Sequence, residues 1–185
     1  MRIIAGEFKG RILTSFSGKG VRPATDRVKG SIFNILQNRL QLRGSHVLDL
    51  YAGSGSLGFE ALSRGAEKAL FVDTNQDSAI AITTNAHSLN CLDRCEIIQA
   101  DALDFVQTCD RQFDLIFADP PYAYDRSKEI PGLIARHKLL KKEGFLIIEH
   151  SKHFRFDRIP ELQPGIQREF GGTTVSFFVY AEREP

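Results

Sequence analysis

Short apolar runs alternate with helical patterns from residue 46 onward, and this alternation constrains the fold more than any other feature. The apolar runs cover residues 46–51, 68–73, 95–100, 112–119 and 144–149. Helical spacing lies between them, over residues 57–63, 76–89, 102–108 and 127–139. Nearly continuous apolar runs suit strands that helices cover on both faces of a parallel sheet. Two further runs, 166–171 and 173–181, meet at Gly171-Gly172 and predict a terminal antiparallel hairpin. The prediction is a doubly wound α/β sheet of seven strands, mostly parallel, with an antiparallel C-terminal strand.

The first 43 residues differ from the rest in charge. They contain nine Lys and Arg residues against two acidic ones, a net charge of +7, whereas the whole 185-residue chain has a net charge of only +1. Within them, residues 2–6 and 10–13 predict a small hairpin, and a helix begins at Thr25 or Asp26 with Arg27 and Lys29 facing a ligand or solvent. We therefore predict a basic extension over residues 1–43 and one domain over residues 44–185. A basic arm on an acidic body favours a polyanionic partner.

Composition excludes several classes of protein. No apolar run reaches the 18 residues of a membrane span, and the N-terminus lacks a signal-peptide core, so a cytoplasmic protein is expected. The three cysteines form no C-x-x-C pair, which argues against a disulfide framework and against a zinc site. His150 and His153 have no evident third ligand, and we interpret them as exposed loop residues. No metal site is predicted.

The segment Asp119-Pro120-Pro121-Tyr122 directly follows one of the apolar runs. It combines a carboxylate, backbone carbonyls that proline holds in one direction, and an aromatic face. This set could accept hydrogen bonds from the amino group of a flat base while the tyrosine covers the ring. On the motif alone, adenine, guanine and glutamine amides remain admissible, and so does an ordinary turn at the end of a strand.

Acids and glycines also end three earlier strands. Residues 49–58 contain a G-x-G-x-x-G pattern after Asp49, the second strand ends at Asp73, and Asp101 with Ala102 follows the third. Asp73 could accept both hydroxyls of an adenosine ribose, and Asp101 could meet an adenine edge or simply cap a helix. The glycine pattern alone also admits a dinucleotide-binding dehydrogenase. Asp49 argues against that reading, because its charge would repel a pyrophosphate and tolerate a cationic cofactor.

These motifs resemble those of the S-adenosylmethionine-dependent amino-methyltransferases. Residues 2–6, 9–11, 22–28 and 33–36, with Gly171-Gly172-Thr173-Thr174, are similar to the signature of the RsmD family of bacterial small-subunit rRNA guanine-N2 methyltransferases. The resemblance covers essentially the whole chain. One position departs from it, because Gly30 stands where the family usually has glutamate.

The resemblance implies a Rossmann-like methyltransferase fold and assigns a role to each motif. Residues 119–122 would be catalytic, with Asp119 and the Pro120 carbonyl accepting from the guanine amino group and Tyr122 stacking on the base. The implied cofactor site consists of Asp49, Tyr51, Ala52, Gly53, Ser54, Gly55, Asp73, Asp101, Ala102 and Asp119. The implied RNA contacts are Lys9, Arg11, Arg22, Thr25, Arg27 and Tyr122.

The expected partner is 16S rRNA, in assembled or assembling 30S subunits, and the expected state is a monomer that binds S-adenosylmethionine. Two rival functions stay open. One is methyl transfer to the amino group of DNA adenine, which the same Asp-Pro-Pro-Tyr motif would suit. Against it, 185 residues leave little room for a separate domain that reads DNA sequence. The other is a non-catalytic RNA-binding or assembly factor with the same fold.

Overall fold

A seven-stranded sheet forms the centre of the molecule. The computed structural model describes residues 1–15, 26–121 and 125–181. The strands are β1 (His46–Leu50), β2 (Lys68–Asp73), β3 (Cys95–Gln99), β4 (Phe113–Ala118), β5 (Leu140–Ser151), β6 (Leu162–Phe170) and β7 (Thr173–Tyr180). Their order is β3-β2-β1-β4-β5-β7-β6. The first five strands pair in parallel, and β7 is antiparallel to both of its neighbours. The predicted mostly parallel sheet with an antiparallel C-terminal strand is confirmed.

The described residues form five α-helices, one before β1 and four between the strands. They are α1 (Asp26–Leu36), α2 (Ser56–Ser63), α3 (Gln76–Ser88), α4 (Ala102–Thr108) and α5 (Ile130–Arg136), with 3₁₀ turns at Leu92–Arg94 and Asp125–Glu129. The helix predicted over 127–139 is shorter, because Pro131 stands in its first turn and Lys138 adopts a left-handed φ of 55° just after its end. The alternation of strand and helix therefore follows the sequence pattern, with shifted ends.

Two strands begin earlier than their apolar runs suggest. β5 starts at Leu140 rather than 144, because the ladder with β4 shifts register between Phe113 and Leu115 and accommodates extra residues there. β6 starts at Leu162 rather than 166 and includes Pro164. Proline is tolerated there because β6 is an edge strand with a register shift between Pro164 and Gln167.

Each face of the sheet is covered by its own hydrophobic core. One core joins alternate strand residues such as Phe71, Phe117 and Phe177 to side chains of the N-terminal segment and of α1, α2 and α3. The other joins the intervening strand residues, such as Ile116 and Phe178, to α4 and α5. Phe177 and Phe178, neighbours on β7, are both buried and belong to different cores. Burial on both faces explains why the strands are nearly continuous in apolar residues.

The N-terminal segment packs into the first of these cores. The predicted hairpin is present as a single antiparallel bridge between Arg2 and Ile12. Ile3, Phe8 and Leu13 are buried with residues of α1 and of the sheet. The segment is therefore continuous in packing with the sheet that follows it.

Lys29 is buried, which corrects the expectation that it faces a ligand or solvent. Its ammonium lies 3.6 Å from a carboxylate oxygen of Glu60, and both side chains are 0% exposed. Lys29 donates to the Arg2 carbonyl at 2.6 Å and to the Ser56 hydroxyl at 3.1 Å. Glu60 accepts in addition from the backbone N–H groups of Ile4 and Ala5 and from Arg64. We call Lys29, Glu60 and Arg64 the tether cluster, because these residues join the N-terminal hairpin, α1 and α2.

His150 is also buried, contrary to the interpretation of this residue as part of an exposed loop. It lies on β5, where its ring bonds the Ser176 hydroxyl at 2.7 Å and contacts the ring of Phe156 edge-on. Burial lowers the pKa of His150, so its surroundings favour the neutral form of the ring. His153 is exposed as expected.

Two features are absent from the described ranges of the chain. Within residues 1–15, 26–121 and 125–181, no helix is long and apolar enough to cross a membrane. The same part of the chain contains no group of three side chains that could hold a metal ion. All three cysteines are free thiols.

Candidate active site at the carboxyl edge of the sheet

Four of the predicted site residues lie where parallel strands end at one edge of the sheet. Asp73 is the last residue of β2, and Asp101 and Asp119 follow β3 and β4 closely. Asp49 precedes the last residue of β1, between Phe71 of β2 and Phe117 of β4 in the register. Ligands of open α/β sheets bind at this edge. The fold thus brings together side chains that are separated by up to 70 residues in the sequence.

The glycine loop between β1 and α2 has the backbone that its sequence predicts. Gly55 caps α2 in a left-handed conformation with a φ of 78°. A Cβ at Gly58 would lie 2.3 Å from the ring of Phe71, so only glycine fits beside that ring. At Gly53, by contrast, a Cβ would meet no atom within 4 Å. The loop is therefore packed closely against the core at Gly58 and open at Gly53, where a ligand could approach the backbone.

The remaining loop residues support this arrangement. Tyr51 adopts a left-handed φ of 58°, which is uncommon for a residue with a side chain. Ala52 and Ser54 are buried, and the backbone N–H of Gly55 donates to the Ala52 carbonyl at 2.7 Å. This tight turn directs the chain from the end of β1 into α2.

Asp49 occupies the N-terminus of α2. Its carboxylate accepts from the backbone N–H of Gly58 at 2.9 Å, and the residue is 3% exposed. Burial raises the pKa of Asp49 to about 7; the Gly58 hydrogen bond opposes this shift, and the nearby charge of Asp73 adds to it. A dinucleotide places its pyrophosphate at this helix N-terminus. Because Asp49 already fills that position, the geometry disfavours the dehydrogenase alternative.

Asp73 holds the glycine loop to the end of β2. One of its carboxylate oxygens accepts from the N–H of Gly53, and the other accepts from the N–H of Asn75, each at 2.8 Å. A carboxylate can accept about four hydrogen bonds, so both oxygens retain the capacity to accept from a ribose hydroxyl. The residue is only partly buried, which leaves it accessible to a ligand at the open side of Gly53.

Asp101 caps α4, the alternative role that its sequence position admitted. One carboxylate oxygen accepts from the N–H of Leu103 at 2.9 Å and of Asp104 at 3.1 Å. Ala102, which follows it, is buried. Helix capping accounts for one oxygen of Asp101 and leaves its cofactor role a proposal.

The Asp-Pro-Pro segment continues β4 beside the end of β1. The N–H of Asp119 points to the Leu50 carbonyl at a long 3.5 Å, Pro120 is buried and Pro121 is exposed. Tyr122 lies outside the described residues. Burial, followed by the negative charges of Glu149 and Asp49, raises the pKa of Asp119 well above its usual range. The surface of Asp119 is nevertheless partly accessible, so the carboxylate can meet a ligand.

Glu149 belongs to this site, although the sequence analysis did not select it. Ala118 pairs with Ile148, which makes Asp119 and Glu149 the next neighbours at the carboxyl ends of adjoining strands. Glu149 is 8% exposed and lies on the same face of the sheet as Asp49 and Asp119. The signal was a single charged residue at the end of an apolar run whose neighbouring strand ends in Asp-Pro-Pro. We call Asp49, Asp119 and Glu149 the edge cluster.

The described charges that act on Asp49 and Asp119 are all negative. The charges of Glu149 and Asp49 raise the pKa of Asp119, and the charge of Asp73 raises the pKa of Asp49. Within residues 1–15, 26–121 and 125–181, no Lys or Arg is among the groups that shift the pKa of Asp49 or Asp119. Buried carboxylates without a nearby cation are unfavourable unless a ligand supplies positive charge. A cofactor carrying a sulfonium and an ammonium would supply this positive charge.

The predicted RNA contacts divide into described and undescribed residues. Lys9, Arg11 and Arg27 are exposed, while Arg22 and Thr25 lie outside the described residues. Arg11 donates to the Ser88 carbonyl at the end of α3, which places its cation at a helix C-terminus. Lys9, Arg11 and Arg27 belong to stretches whose buried residues, such as Phe8, Leu13 and Val28, pack on the same face of the sheet as the edge cluster.

Comparisons with known proteins agree with this geometry. Residues 1–179 match the model of a family described as Conserved hypothetical protein 95. The chain is 37% identical to Ribosomal RNA small subunit methyltransferase D of Haemophilus influenzae, over 82% of this chain and 79% of that protein. It is 34% identical to the Bacillus subtilis protein YlbH, over 96% of this chain and 98% of that protein. The solved structure of Escherichia coli yhhF superimposes with a TM-score of 0.87 at 26% identity, covering 99% of both chains.

Proposed function

Because this chain belongs to the RsmD family of S-adenosylmethionine-dependent methyltransferases, we propose that it methylates the exocyclic N2 of a guanine in small-subunit rRNA. The observation that carries the proposal is the edge cluster beside Asp119-Pro120-Pro121. Its carboxylates accept hydrogen bonds and favour positive charge, and both properties suit an amino group that becomes cationic as it is alkylated.

The cofactor is S-adenosylmethionine, which supplies a methyl group on a cationic sulfonium. Asp49 would face its positive charge, Asp73 would accept from the ribose hydroxyls, and Asp101 with Ala102 would border the adenine. Tyr51, Ala52, Gly53, Ser54 and Gly55 would form the backbone turn against which it lies.

The reacting amino group is a poor nucleophile, since its lone pair is delocalised into the guanine ring. Asp119 and the Pro120 carbonyl would accept its two N–H groups, which favours a localised lone pair directed at the methyl carbon. Tyr122 would stack on the base, a contact worth about 1–3 kcal/mol in single-stranded recognition. A guanine in a helix must leave its stack to reach this edge, so the substrate nucleotide is unpaired or flipped.

The basic N-terminal segment would bind the surrounding RNA. Lys9, Arg11 and Arg27, together with Arg22 and Thr25, would contact phosphates near the reacting guanine. The proposed substrate is the assembled or assembling 30S subunit in the cytoplasm, and the proposed state of the enzyme is a monomer.

Methyl transfer from labelled cofactor tests the proposal directly. Unmethylated small subunits, naked 16S rRNA and DNA are compared as acceptors, with wild type, Asp119→Ala and an exposed control, Asp110→Ala. We expect incorporation into small-subunit RNA, a loss of about 10²–10³-fold in Asp119→Ala, and no change in the control. Incorporation into DNA alone would favour the adenine alternative, and near-full activity of Asp119→Ala would remove the carboxylate from the mechanism. Binding of the cofactor without turnover on any acceptor would favour the assembly-factor alternative.

A further inference from the structure

Asp119 directly follows β4, and Glu149 lies at the adjoining position near the carboxyl end of β5; Glu149 has no role in the function proposed above. The in-register pair Ala118 and Ile148 leads directly to these two residues. Both belong to the sheet face that carries Phe117 and Ile147, so their side chains leave the sheet in the same direction. Two largely buried carboxylates at adjoining positions of neighbouring strands cannot both be ionised without cost, and the Glu149 charge does act on Asp119.

Among the described residues, the other charge that acts on Asp119 is also negative. From β1, Asp49 adds a further negative charge, and Asp73 of β2 faces Asp49 in turn. His150 follows Glu149 but is turned to the opposite face, where it bonds Ser176 and contacts Phe156. Lys29 of α1 is held by the Arg2 carbonyl, Ser56 and Glu60. The described part of the chain therefore surrounds Asp119 with acceptors of protons.

Methylation at N2 needs such an acceptor. The new C–N bond forms as the S–C bond breaks and its electron pair stays on sulfur, so the positive charge passes from sulfur to nitrogen. The nitrogen then loses one of its hydrogens as a proton. A single carboxylate in water is a weak base at neutral pH, whereas a carboxylate beside a second negative charge binds a proton more strongly.

We propose that Glu149 is a positioning residue for this reaction: with Asp119 it forms a carboxylate pair that takes up the proton displaced from the methylated amino nitrogen. Asp119 touches the amino group, and Glu149 acts through Asp119 by making it a better proton acceptor. The pair then returns the proton to water when the products leave. The inference rests on the proposed methyl transfer and adds a proton acceptor to it.

The first experiment counts protons in the wild-type protein and needs no RNA. Calorimetric titrations in two buffers of different ionisation enthalpy give the protons released when S-adenosylmethionine or the neutral S-adenosylhomocysteine binds. The cationic ligand should expel protons from the pair, so we expect greater release with S-adenosylmethionine between pH 6 and 8 and a smaller difference in Glu149→Gln. Equal release for both ligands in wild type at every pH would overturn the proposal.

The second experiment follows the rate. Single-turnover methyl transfer to small-subunit RNA is measured from pH 5 to 9 for wild type, Glu149→Gln and Glu143→Gln, an exposed glutamate on the same strand. Removing the Glu149 charge should move the acid limb of the profile to lower pH by on the order of one unit, while Glu143→Gln leaves the profile in place. An unmoved acid limb in folded Glu149→Gln protein would contradict the proposal. Failure of wild type to methylate RNA would refute the proposed function instead, and the proton count would still test the pair.

Discussion

The tether cluster and the edge cluster are both groups of buried charges, yet they are built in opposite ways. In the tether cluster, Glu60 meets Lys29, Arg64 and two backbone N–H groups, so its charge is matched by donors from the protein. In the edge cluster, the described charges that act on Asp119 are those of Glu149 and Asp49, which have the same sign. Charges that a protein matches internally stabilise its fold, whereas a cationic ligand would offset the repulsion that Asp49 and Asp119 experience from neighbouring carboxylates.

The largest effect on stability is expected when the tether cluster is broken. Glu60→Ala leaves the Lys29 ammonium buried without its carboxylate and leaves the Ile4 and Ala5 N–H groups without an acceptor. We expect a loss of about 3–5 kcal/mol in the free energy of unfolding, measured by urea denaturation. Glu96→Ala is the matched control, because its ion pair with Arg111 is exposed and should contribute no more than about 1 kcal/mol. Similar losses in the two variants would show that burial does not distinguish them.

In the edge cluster, by contrast, the buried charges should lower the free energy of unfolding. The pH dependence of that free energy can reveal this effect. The pKa of Asp49 is raised in the folded state from 3.8 to about 7, so the folded protein binds more protons than the unfolded chain between these values. The free energy of unfolding therefore falls as the pH rises from about 4 to 7, by on the order of 4 kcal/mol from Asp49. Asp119 contributes in the same direction, because its pKa is raised too.

Asp49→Asn checks this assignment. The amide keeps an acceptor for the Gly58 N–H and has no charge to bury, so the variant should lose part of the pH dependence and exceed wild type in stability at pH 8. Asp110→Asn, at an exposed position, serves as the control. Parallel stability curves for wild type and Asp49→Asn from pH 4 to 8 would contradict the assignment.

A smaller effect is expected where the protein would meet RNA. Arg27→Gln removes an exposed cation near the start of α1, and we expect weaker RNA binding with a log–log salt dependence reduced by about 0.7 units for one lost phosphate contact. Arg22→Gln should act similarly. Arg39→Gln, beyond the other end of α1, should leave the slope unchanged, and filter binding between 50 and 200 mM salt measures all three. If Arg27→Gln keeps the wild-type slope, the basic segment does not bind phosphate there.

The smallest effect concerns Gly30, which follows Lys29 in α1. A Cβ at this position would lie 3.8 Å from Ile4, an ordinary van der Waals contact, so the site has room for a side chain. Gly30→Ala should raise the free energy of unfolding by about 0.5–1 kcal/mol, because alanine loses less conformational entropy in a helix. Thermal denaturation measures it, and a destabilised variant would show that the helix needs glycine at this point. Gly30→Glu, which restores the residue typical of the family, should fold equally well.

The sequence predicted the fold and the strand ends at which the candidate site residues lie, because both depend on local patterns. Apolar runs predicted the strands, and the acid or glycine turn that follows several of these runs indicated the edge where ligands of such sheets bind. Glu149 was not predicted, because only its position beside Asp119 in the sheet suggests a role for it. Pairing between strands is not visible in one run of residues.

Lys29 and His150 were misplaced for a related reason. Lys29 has Ile32, Phe33 and Leu36 three, four and seven residues ahead of it, so helical spacing does place it on the buried face. Its charge suggested solvent, and the partner that reverses this expectation, Glu60, lies 31 residues away. His150 likewise depends on Ser176 across the sheet. Charge predicts exposure only when no distant partner is available.

The tether cluster has a consequence for how substrate preference can change in this family. The hairpin that carries Lys9 and Arg11 is anchored by Glu60 to α2, the helix that begins at the glycine loop. Exchange of this segment between relatives would have to transfer residues from two distant stretches of the chain at once. We therefore expect recognition of RNA to diverge by replacement of single exposed residues, and chimeras joined near residue 43 to fold only when the acceptor supplies a glutamate at position 60.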